Sequence, residues 1–223
     1  MPAARIMGAS RGIGRELVRQ LLAAGWQVYA TARADAALAE LQAAGALPLQ
    51  LDVTRPESLA GLGWQLDGAR LDLAVYVAGV YGPSHQTATA PPTQADFDAV
   101  MHANVLGAMQ ALPLVAPMVE EAAGRFVVIS SGMGSIGEAE SSHGWIYRVS
   151  KAALNMAVRS AAFDYPKATL LAMSPGWVRT DMGGEDAALS VEDSVAGMLK
   201  VVLARGVEDS GSFWDHAGRQ VRW

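Results

Sequence analysis

Short apolar runs alternate with longer amphipathic stretches along most of the chain. The runs are nearly continuous in Val, Ile, Leu and Ala, which is typical of strands that are buried on both faces of a sheet. They lie at residues 3–7, 26–31, 47–53, 71–79, 125–131, 168–174 and 211–215. The stretches between them space their apolar residues as helices do, at 14–25, 34–45, 96–124, 147–164 and 191–206.

This alternation predicts an α/β fold, because strands joined through helices build a parallel sheet with right-handed crossovers. We expect a Rossmann-type doubly wound parallel sheet of about seven strands with helices on both faces. The sequence contains no internal repeat and no linker, so residues 1–223 are interpreted as a single domain. Ligands of such sheets bind at the carboxyl ends of the strands, and functional residues should therefore follow the apolar runs.

Composition narrows the classes of function. With 51% hydrophobic and 17% charged residues, the chain of 223 residues can bury a substantial core. Its formal charge of −5 argues against a nucleic-acid partner, which requires a broad basic surface. The chain has no cysteine, and its four histidines lack the spacing of metal ligands, so we expect no bound metal.

The location of the protein is predicted from what its sequence lacks. The N-terminal segment reaches a glycine at Gly8, which leaves no room for the apolar region of a secretory signal. No run of about 18 apolar residues occurs, so we expect no membrane span. We therefore expect a cytoplasmic protein.

The sequence MGASRGIG joins the first predicted strand to the first predicted helix. Its glycines, Gly8, Gly12 and Gly14, follow the spacing G-x-x-x-G-x-G. Glycine permits a tight turn and the close approach of a phosphate, while the helix N-terminus offers free N–H groups to that phosphate. The position between a strand and a helix favours a dinucleotide site over a glycine-rich turn without a ligand.

The end of the second strand favours NADP(H) over NAD(H). NAD sites usually place an acid there for the ribose 2′-hydroxyl, whereas NADP sites place an arginine for the 2′-phosphate. Arg33 is the first charged residue after the strand, and Arg11 lies inside the glycine loop. Asp35 stands at the distance of the usual NAD acid, but its position before a helical stretch is typical of an N-cap. The alternative interpretation makes both arginines solvated surface charges.

Tyr147 and Lys151 stand four residues apart in a predicted helix, so their side chains project together. An ammonium beside a phenol favours the phenolate and lowers its pKa from the ordinary value of about 10. Tyr147 could then exchange a proton with a carbonyl oxygen as a hydride arrives. Ser131 ends the fifth predicted strand, where its hydroxyl could bind the same oxygen.

Together these motifs resemble the short-chain dehydrogenase/reductase family over nearly the whole chain. In chain order they are MGASRGIG, LDVT, YVAG, Asn104, ISSGMGSIG, YRVSK and PGWVRTDM. Four local sequences resemble the compact branch of C-factor proteins and sniffer-type carbonyl reductases: GMGSI, YRVSKAALNMAV, SPGWVRTDMGG and GSFWDHAGRQVRW. The resemblance implies an NADPH-dependent oxidoreductase that acts on a small-molecule carbonyl or alcohol.

The resemblance also implies roles for individual residues. Tyr147 is the catalytic acid/base, and Lys151 lowers its pKa and holds the nicotinamide ribose. Ser131 orients the carbonyl, and Asn104 keeps a water in the proton relay behind Lys151. The implied cofactor-binding residues, in addition to Tyr147 and Lys151, are Gly8, Ser10, Arg11, Gly12, Ile13, Gly14, Arg33, Asp52, Val53, Ala78, Gly79, Pro175, Gly176, Val178 and Thr180. Family members often pair through the helices that hold Asn104 and Tyr147, which implies a homodimer or homotetramer.

The sequence departs from the family pattern at several points. Met7 replaces the usual threonine before the glycine loop, and YVAG carries Tyr76 and Val77 in place of two asparagines. The asparagines of the family stabilise the central sheet, so altered hydrogen bonding is expected there. The spacing from Ser131 to Tyr147 is about three residues longer than the commonest spacing in the family. If the motif is aligned on Ser130 or Ser135 instead, that residue takes the role assigned to Ser131.

Two other functions remain as alternatives. An NAD(P)-binding regulatory or signalling protein with little turnover would not need the complete catalytic set. An epimerase or dehydratase on the same scaffold usually carries a larger substrate region than the residues after Thr180 provide. The apolar character of Tyr81, Met133 and Trp177 predicts an aromatic or aliphatic substrate. The short sequence GGEDAALS predicts an open pocket or a small loop rather than a helical lid.

Overall fold

Seven parallel strands form the sheet in the part of the chain that the structure describes. A computed structural model describes residues 1–62 and 68–223. The strands are β1 (Ala3–Met7), β2 (Gln27–Ala32), β3 (Leu47–Gln50), β4 (Leu73–Tyr76), β5 (Arg125–Ile129), β6 (Thr169–Ser174) and β7 (Ser212–Asp215). Their order across the sheet, β3-β2-β1-β4-β5-β6-β7, reverses between β1 and β4 and confirms the predicted doubly wound α/β fold.

Helices connect these strands on both faces of the sheet. They are α1 (Gly12–Ala23), α2 (Asp35–Ala43), α3 (Pro56–Ala60), α4 (Gln94–Met101), α5 (Gly107–Glu121), α6 (Trp145–Ala161) and α7 (Val191–Leu203). A π-helical turn at His102–Leu106 joins α4 to α5. One 3₁₀ turn, Gly132–Gly134, follows β5, and another, Val207–Asp209, precedes β7.

Two apolar layers, one on each face of the sheet, explain why the strand sequences are nearly continuous apolar runs. On one face, α5 and α6 pack residues such as Val115 and Leu154 against Phe126 of β5. On the other face, α1 and α7 pack residues such as Leu21 and Met198. Because alternate residues of each central strand enter opposite layers, both sets are mainly apolar, and the buried Arg5 of β1 is a charged exception. All six residues of β6 are accordingly buried.

Asp35 differs from its predicted role. It is the first residue of α2, and the preceding Ala34 occupies the extended N-cap position without a side-chain cap. The carboxylate still lies in the first turn, where the helix dipole favours negative charge. Asp35 thus belongs to the helix rather than capping it.

The longest helical segment, Gln94–Glu121, is long and apolar enough by composition to cross a membrane. The prediction of no membrane span rested on the lack of an uninterrupted apolar run. In this helical segment, the polar residues His102, Asn104 and Gln110 interrupt the apolar sequence. In the fold, 56% of the most apolar window of this segment is buried. It packs against the sheet as the core helix of an α/β domain does.

Candidate active site

One face of α6 carries the candidate catalytic side chains. Tyr147 and Lys151 are one helical turn apart, and both are buried, with 8% and 4% of their surface exposed. The helix begins after Gly144, whose φ of 66° is left-handed and suits glycine. The Gln86 carbonyl accepts the Gly144 N–H at 3.1 Å, which ties the helix start to the loop after β4.

The phenol of Tyr147 lies under a second phenol. The ring of Tyr81 packs on it with centroids 4.7 Å apart and planes tilted by 32°. Burial raises the pKa of Tyr147 to about 12, a hydrogen bond with Ser131 opposes the rise, and Tyr81 adds to it. The sequence predicted a lowered pKa from Lys151, whose Nζ lies 5.5 Å from the ring centroid. Burial sets the direction of the shift because the phenolate loses its solvation inside the protein.

Lys151 is oriented by the end of β5. Its Nζ donates to the Ile129 carbonyl at 2.8 Å. Burial lowers the pKa of Lys151 to about 8. Because that value is still above neutral pH, the ammonium form predominates under physiological conditions.

The three candidate serines differ in what they contact. Ser130 donates to Asn155 at 2.6 Å, and Ser135 donates to the Arg222 carbonyl at 2.6 Å. Ser131 Oγ accepts the Met133 N–H at 3.1 Å and also interacts with Tyr147. Ser131 therefore stands beside the phenol, whereas the other two hydroxyls are engaged in structural hydrogen bonds.

Asn104 lies in the π-helical turn and is fully buried. Its Oδ1 accepts the Val80 N–H at 2.7 Å, and its Nδ2 donates to the Val80 carbonyl and to Ser150 Oγ, each at 2.9 Å. Ser150 in turn donates to the Tyr147 carbonyl at 2.7 Å. The Asn104 side chain thus joins the loop after β4 to α6. Such π turns often occur at functional sites.

Tyr76 supplies a hydrogen bond where the family uses asparagine. Its hydroxyl donates to the Ala103 carbonyl at 2.8 Å, next to Asn104. Burial raises the pKa of Tyr76, so the phenol stays protonated as a donor. Gly107 leaves room for this hydroxyl, because a Cβ at that position would lie 2.5 Å from it. The sequence YVAG therefore changes the hydrogen bonding as expected: the Tyr76 hydroxyl links β4 to the π-helical turn.

Replacing Tyr76 with phenylalanine is expected to destabilise the protein by about 1–3 kcal/mol, because the buried Ala103 carbonyl loses its donor. Urea unfolding measures this difference. The matched control is Tyr29→Phe on β2, which is expected to change stability far less. Equal stability of Tyr76→Phe and the wild type would show that this hydrogen bond does not support the π turn.

The glycine loop forms a cradle for a phosphate group. Gly8 has a φ of 96°, and a Cβ there would lie 2.8 Å from the Ala78 nitrogen. A Cβ at Gly14 would collide with the Gly8 carbonyl oxygen. The N-cap residue of α1, Arg11, makes no side-chain cap. The first N–H groups of α1 are thus left for an anion, and the cradle fits a dinucleotide diphosphate.

A cavity of about 340 Å³ lies beyond the ends of β2 and β3. It is lined by Arg33, Gln50, Asp52, Arg55, Glu57 and Ser58. Burial raises the pKa of Asp52, but hydrogen bonds from Thr54 and the charges of Arg33 and Arg55 hold it below its ordinary value. Two guanidinium groups at one cavity suit a phosphate. Arg55 was not predicted from the sequence, although it lies only two residues after Val53, a predicted cofactor-binding residue.

Arg11 is not among the residues that line this cavity and instead contacts the segment after β6. Its Nη1 is 2.8 Å from Asp181 Oδ2, and both side chains are well exposed. Thr180 Cγ2 would lie 3.3 Å from a Cβ at Gly12, so the same segment touches the glycine loop. Asp181 is the second residue near this site that the sequence did not single out.

The segment after β6 is held in a folded turn. The Pro175 carbonyl accepts Ser194 Oγ at 2.7 Å, and Gly176 has a left-handed φ of 80°. The Arg179 N–H donates to the Leu189 carbonyl at 2.9 Å, which folds the following loop back on itself. Residues 181–190 contain no helix. The loop is therefore small, as its length predicted.

The remaining predicted cofactor residues lie at the same edge of the sheet. Gly79 is next to Asn104 and Lys151, because a Cβ there would be 3.0 Å from Asn104 Oδ1 and 3.6 Å from Lys151 Nζ. Others are partly buried against the apolar layers or lie exposed in the glycine loop: Val53, Ala78, Ile13 and Ser10.

Apolar side chains surround the mouth of the site. Tyr81 and Met133 both approach Gly144, where a Cβ would be 3.0 Å from Met133 Cε and would collide with the Tyr81 hydroxyl. Trp177 is 58% exposed, and its Nε1 donates to the Gly183 carbonyl at 2.8 Å. Met182 and Trp145 are also exposed. This arrangement suits a substrate with apolar groups around its reacting centre.

Comparison with known proteins agrees with this geometry. Residues 2–189 match the family described as short chain dehydrogenase. The C-signal protein of Myxococcus xanthus is 39% identical over 156 residues, which are 69% of this chain and 93% of that protein.

Two solved structures share the whole fold. The NADPH-bound carbonyl reductase from chicken fatty liver is 32% identical, with a TM-score of 0.89 over 100% of this chain and 99% of that chain. The carbonyl reductase Sniffer of Drosophila melanogaster is 25% identical, with a TM-score of 0.90 over 100% of both chains.

Proposed function

The chain belongs to the short-chain dehydrogenase family, and from that premise we propose that it is an NADPH-dependent carbonyl reductase or alcohol dehydrogenase. The observation that carries the proposal is the meeting of Tyr147, Lys151 and Ser131 at the carboxyl edge of the sheet, beside the glycine cradle. We propose that one domain, residues 1–223, supplies both the cofactor site and the catalytic residues. The chicken and Drosophila structures, both of carbonyl reductases, support the reaction class.

The cofactor would lie along the carboxyl ends of the strands. The glycine loop and the start of α1 would hold its diphosphate, and Arg33 with Arg55 would receive the 2′-phosphate. The segment from Pro175 to Thr180 would hold the nicotinamide end. When bound, NADPH supplies the hydride. The NADPH in the chicken structure supports this choice over NADH.

The protonated phenol of Tyr147 is the proposed proton donor. Because burial raises its pKa to about 12, it carries its proton at neutral pH, as reduction of a carbonyl requires. The Ser131 hydroxyl would donate a hydrogen bond to the same substrate oxygen and orient it. The Lys151 ammonium would stabilise the phenolate that remains after the proton has left.

The two directions of the reaction are expected to respond oppositely to pH. Carbonyl reduction needs the phenol, so its kcat/KM should stay constant through neutral pH and fall as pH rises toward the apparent pKa. Alcohol oxidation needs the phenolate, so its kcat/KM should rise over the same alkaline range. Initial rates in both directions across pH measure this. Parallel profiles for the two directions would contradict a single acid/base group.

The regulatory alternative is not favoured. Its support is the similarity to a protein named C-signal. A protein that only binds a dinucleotide has no need for a buried Tyr147 that has both the Ser131 hydroxyl and the Lys151 ammonium beside it.

Steady-state oxidation of NADPH against aldehydes, ketones, quinones and diketones tests the proposal. We expect turnover of at least one carbonyl class, with apolar substrates preferred and NADPH used better than NADH. Equal or better use of NADH would overturn the cofactor assignment. Tight NADPH binding without turnover of any class of carbonyl compound would favour the regulatory alternative.

A further inference from the structure

Asn155 is a buried polar residue that lies one helical turn beyond Lys151 on α6. Only 3% of its surface is exposed, and its neighbours Leu154 and Val158 belong to the apolar layer between helix and sheet. A polar side chain is costly in such a place unless its hydrogen bonds are satisfied. An apolar residue would pack equally well at this position, so packing alone does not explain the carboxamide of Asn155.

The hydrogen bonds of Asn155 go to the two sides of Ser131. Its Oδ1 accepts from Ser130 Oγ at 2.6 Å, and its Nδ2 donates to the Gly134 carbonyl at 3.2 Å. The segment between these points is the 3₁₀ turn Gly132–Gly134, whose N-cap is Ser131. One side chain thus holds the serine segment both before and after the candidate catalytic hydroxyl.

The serine segment needs an external support. The sequence Gly132-Met133-Gly134 has two glycines, and glycine restricts the backbone least. Gly134 packs directly on α6, because a Cβ there would lie 2.7 Å from Lys151 Cβ. From the opposite side, β6 holds the segment through the Ser130 N–H to Met173 carbonyl bond of 2.8 Å and the Gly132 N–H to Ser174 Oγ bond of 3.0 Å. The segment is therefore fixed between β6 and α6.

We propose that Asn155 is a positioning residue that sets the location of the Ser131 hydroxyl relative to Tyr147. One face of α6 then carries Tyr147 and Lys151, and Asn155 on the same helix fixes the position of Ser131. The inference rests on the proposed function, in which Ser131 orients the substrate oxygen. A loop that shifts Ser131 by about 1 Å would weaken that orientation strongly.

The test compares Asn155→Ala with Val158→Ala. The second variant also truncates a buried side chain of α6, but the side chain of Val158 has no donor or acceptor and cannot form a hydrogen bond with the serine segment. We expect Asn155→Ala to lower kcat about tenfold with the KM for NADPH unchanged. Val158→Ala should lower the melting temperature and leave kcat near the wild-type value. Equal kcat in the two variants would overturn the proposal.

A pH profile separates positioning from a purely structural role. The groups beside the Tyr147 hydroxyl are Ser131, Tyr81 and Lys151, and the hydrogen bond with Ser131 lowers the pKa of Tyr147. A displaced serine should therefore move the alkaline limb of alcohol oxidation to higher pH in Asn155→Ala. Val158→Ala should keep the wild-type limb. An unshifted limb in Asn155→Ala would overturn the proposal.

The bonds on the two sides of Ser131 can be separated. Ser130→Ala removes only one of them and should lower kcat less than Asn155→Ala does. The double variant Ser130→Ala/Asn155→Ala should be no slower than Asn155→Ala alone, because both substitutions break the same contact. Additive losses in the double variant would show that Asn155 acts elsewhere.

Amide hydrogen exchange followed by mass spectrometry tests the positioning without any turnover. Exchange over residues 132–135 should be faster in Asn155→Ala than in the wild type or in Val158→Ala. If the wild type reduces no carbonyl yet this local difference is found, the proposed function fails and the structural placement of Ser131 by Asn155 stands. Unchanged exchange over these residues would overturn the placement, whatever the activity of the enzyme.

Discussion

Tyr147→Phe is expected to lower kcat by about 10³-fold, because the reduced substrate oxygen then has no positioned proton donor. The phenyl ring keeps the packing against Tyr81 at 4.7 Å, so the fold and the pocket should be preserved. Stopped-flow or steady-state rates with NADPH and the best carbonyl substrate measure the loss.

Two controls show whether the loss of activity in Tyr147→Phe comes from the missing hydroxyl. Tyr165→Phe also removes a phenol, but from a residue that packs on the apolar layer after α6, and it should retain full activity. NADPH binding to Tyr147→Phe, followed by cofactor fluorescence, should stay within a few-fold of the wild type. Activity of Tyr147→Phe within tenfold of the wild type would contradict its role as the acid.

Arg33→Ala is expected to raise the Kd for NADPH about 10- to 100-fold and to leave the Kd for NADH nearly unchanged. A hydrogen bond to a charged group contributes about 1.5–3 kcal/mol, and only NADPH carries the 2′-phosphate that receives it. Isothermal titration of both cofactors measures the two affinities on the same protein.

NADH is the matched control for Arg33, because it differs from NADPH by that phosphate alone. Arg55→Ala should weaken NADPH in the same selective way, since Arg55 lines the same cavity. A loss of affinity for both cofactors after Arg33→Ala would indicate a disturbed loop instead of a lost phosphate contact. No loss for either would identify Arg33 as a solvated surface charge.

The architecture was predictable from the sequence because burial on both faces makes the central strands mainly apolar, even though β1 also buries the charged residue Arg5. The run 3–7 coincides with β1, the run 26–31 ends one residue before β2 does at Ala32, and the other runs contain the observed strands. The short helix α3 was not predicted, because five residues are too few to show a helical period. Asp35 was misassigned by one position, a common difference at helix ends.

The site was predictable where a motif is local and was missed where contacts are distant in sequence. Tyr147 and Lys151 are one turn apart, so their spacing shows that they face together. The hydrogen bonds of Asn155 reach Gly134 and Ser130 across 21 and 25 residues, and no spacing rule reveals such contacts. The same holds for Tyr76, whose partner Ala103 lies 27 residues away, and for the ion pair of Arg11 with Asp181. The direction of the Tyr147 pKa was also hidden, because burial depends on the packed Tyr81 ring.

Transfer of label from NADPH is the measurement that tests the central claim most directly. The wild-type protein is incubated with NADPH that carries deuterium at the transferable C4 position, together with the panel of carbonyl compounds. Mass spectrometry of the products should find an alcohol with one deuterium on the former carbonyl carbon. Carbonyl compounds recovered unchanged beside protein-bound, unoxidised NADPH would contradict the account and identify a protein that binds the dinucleotide without using it.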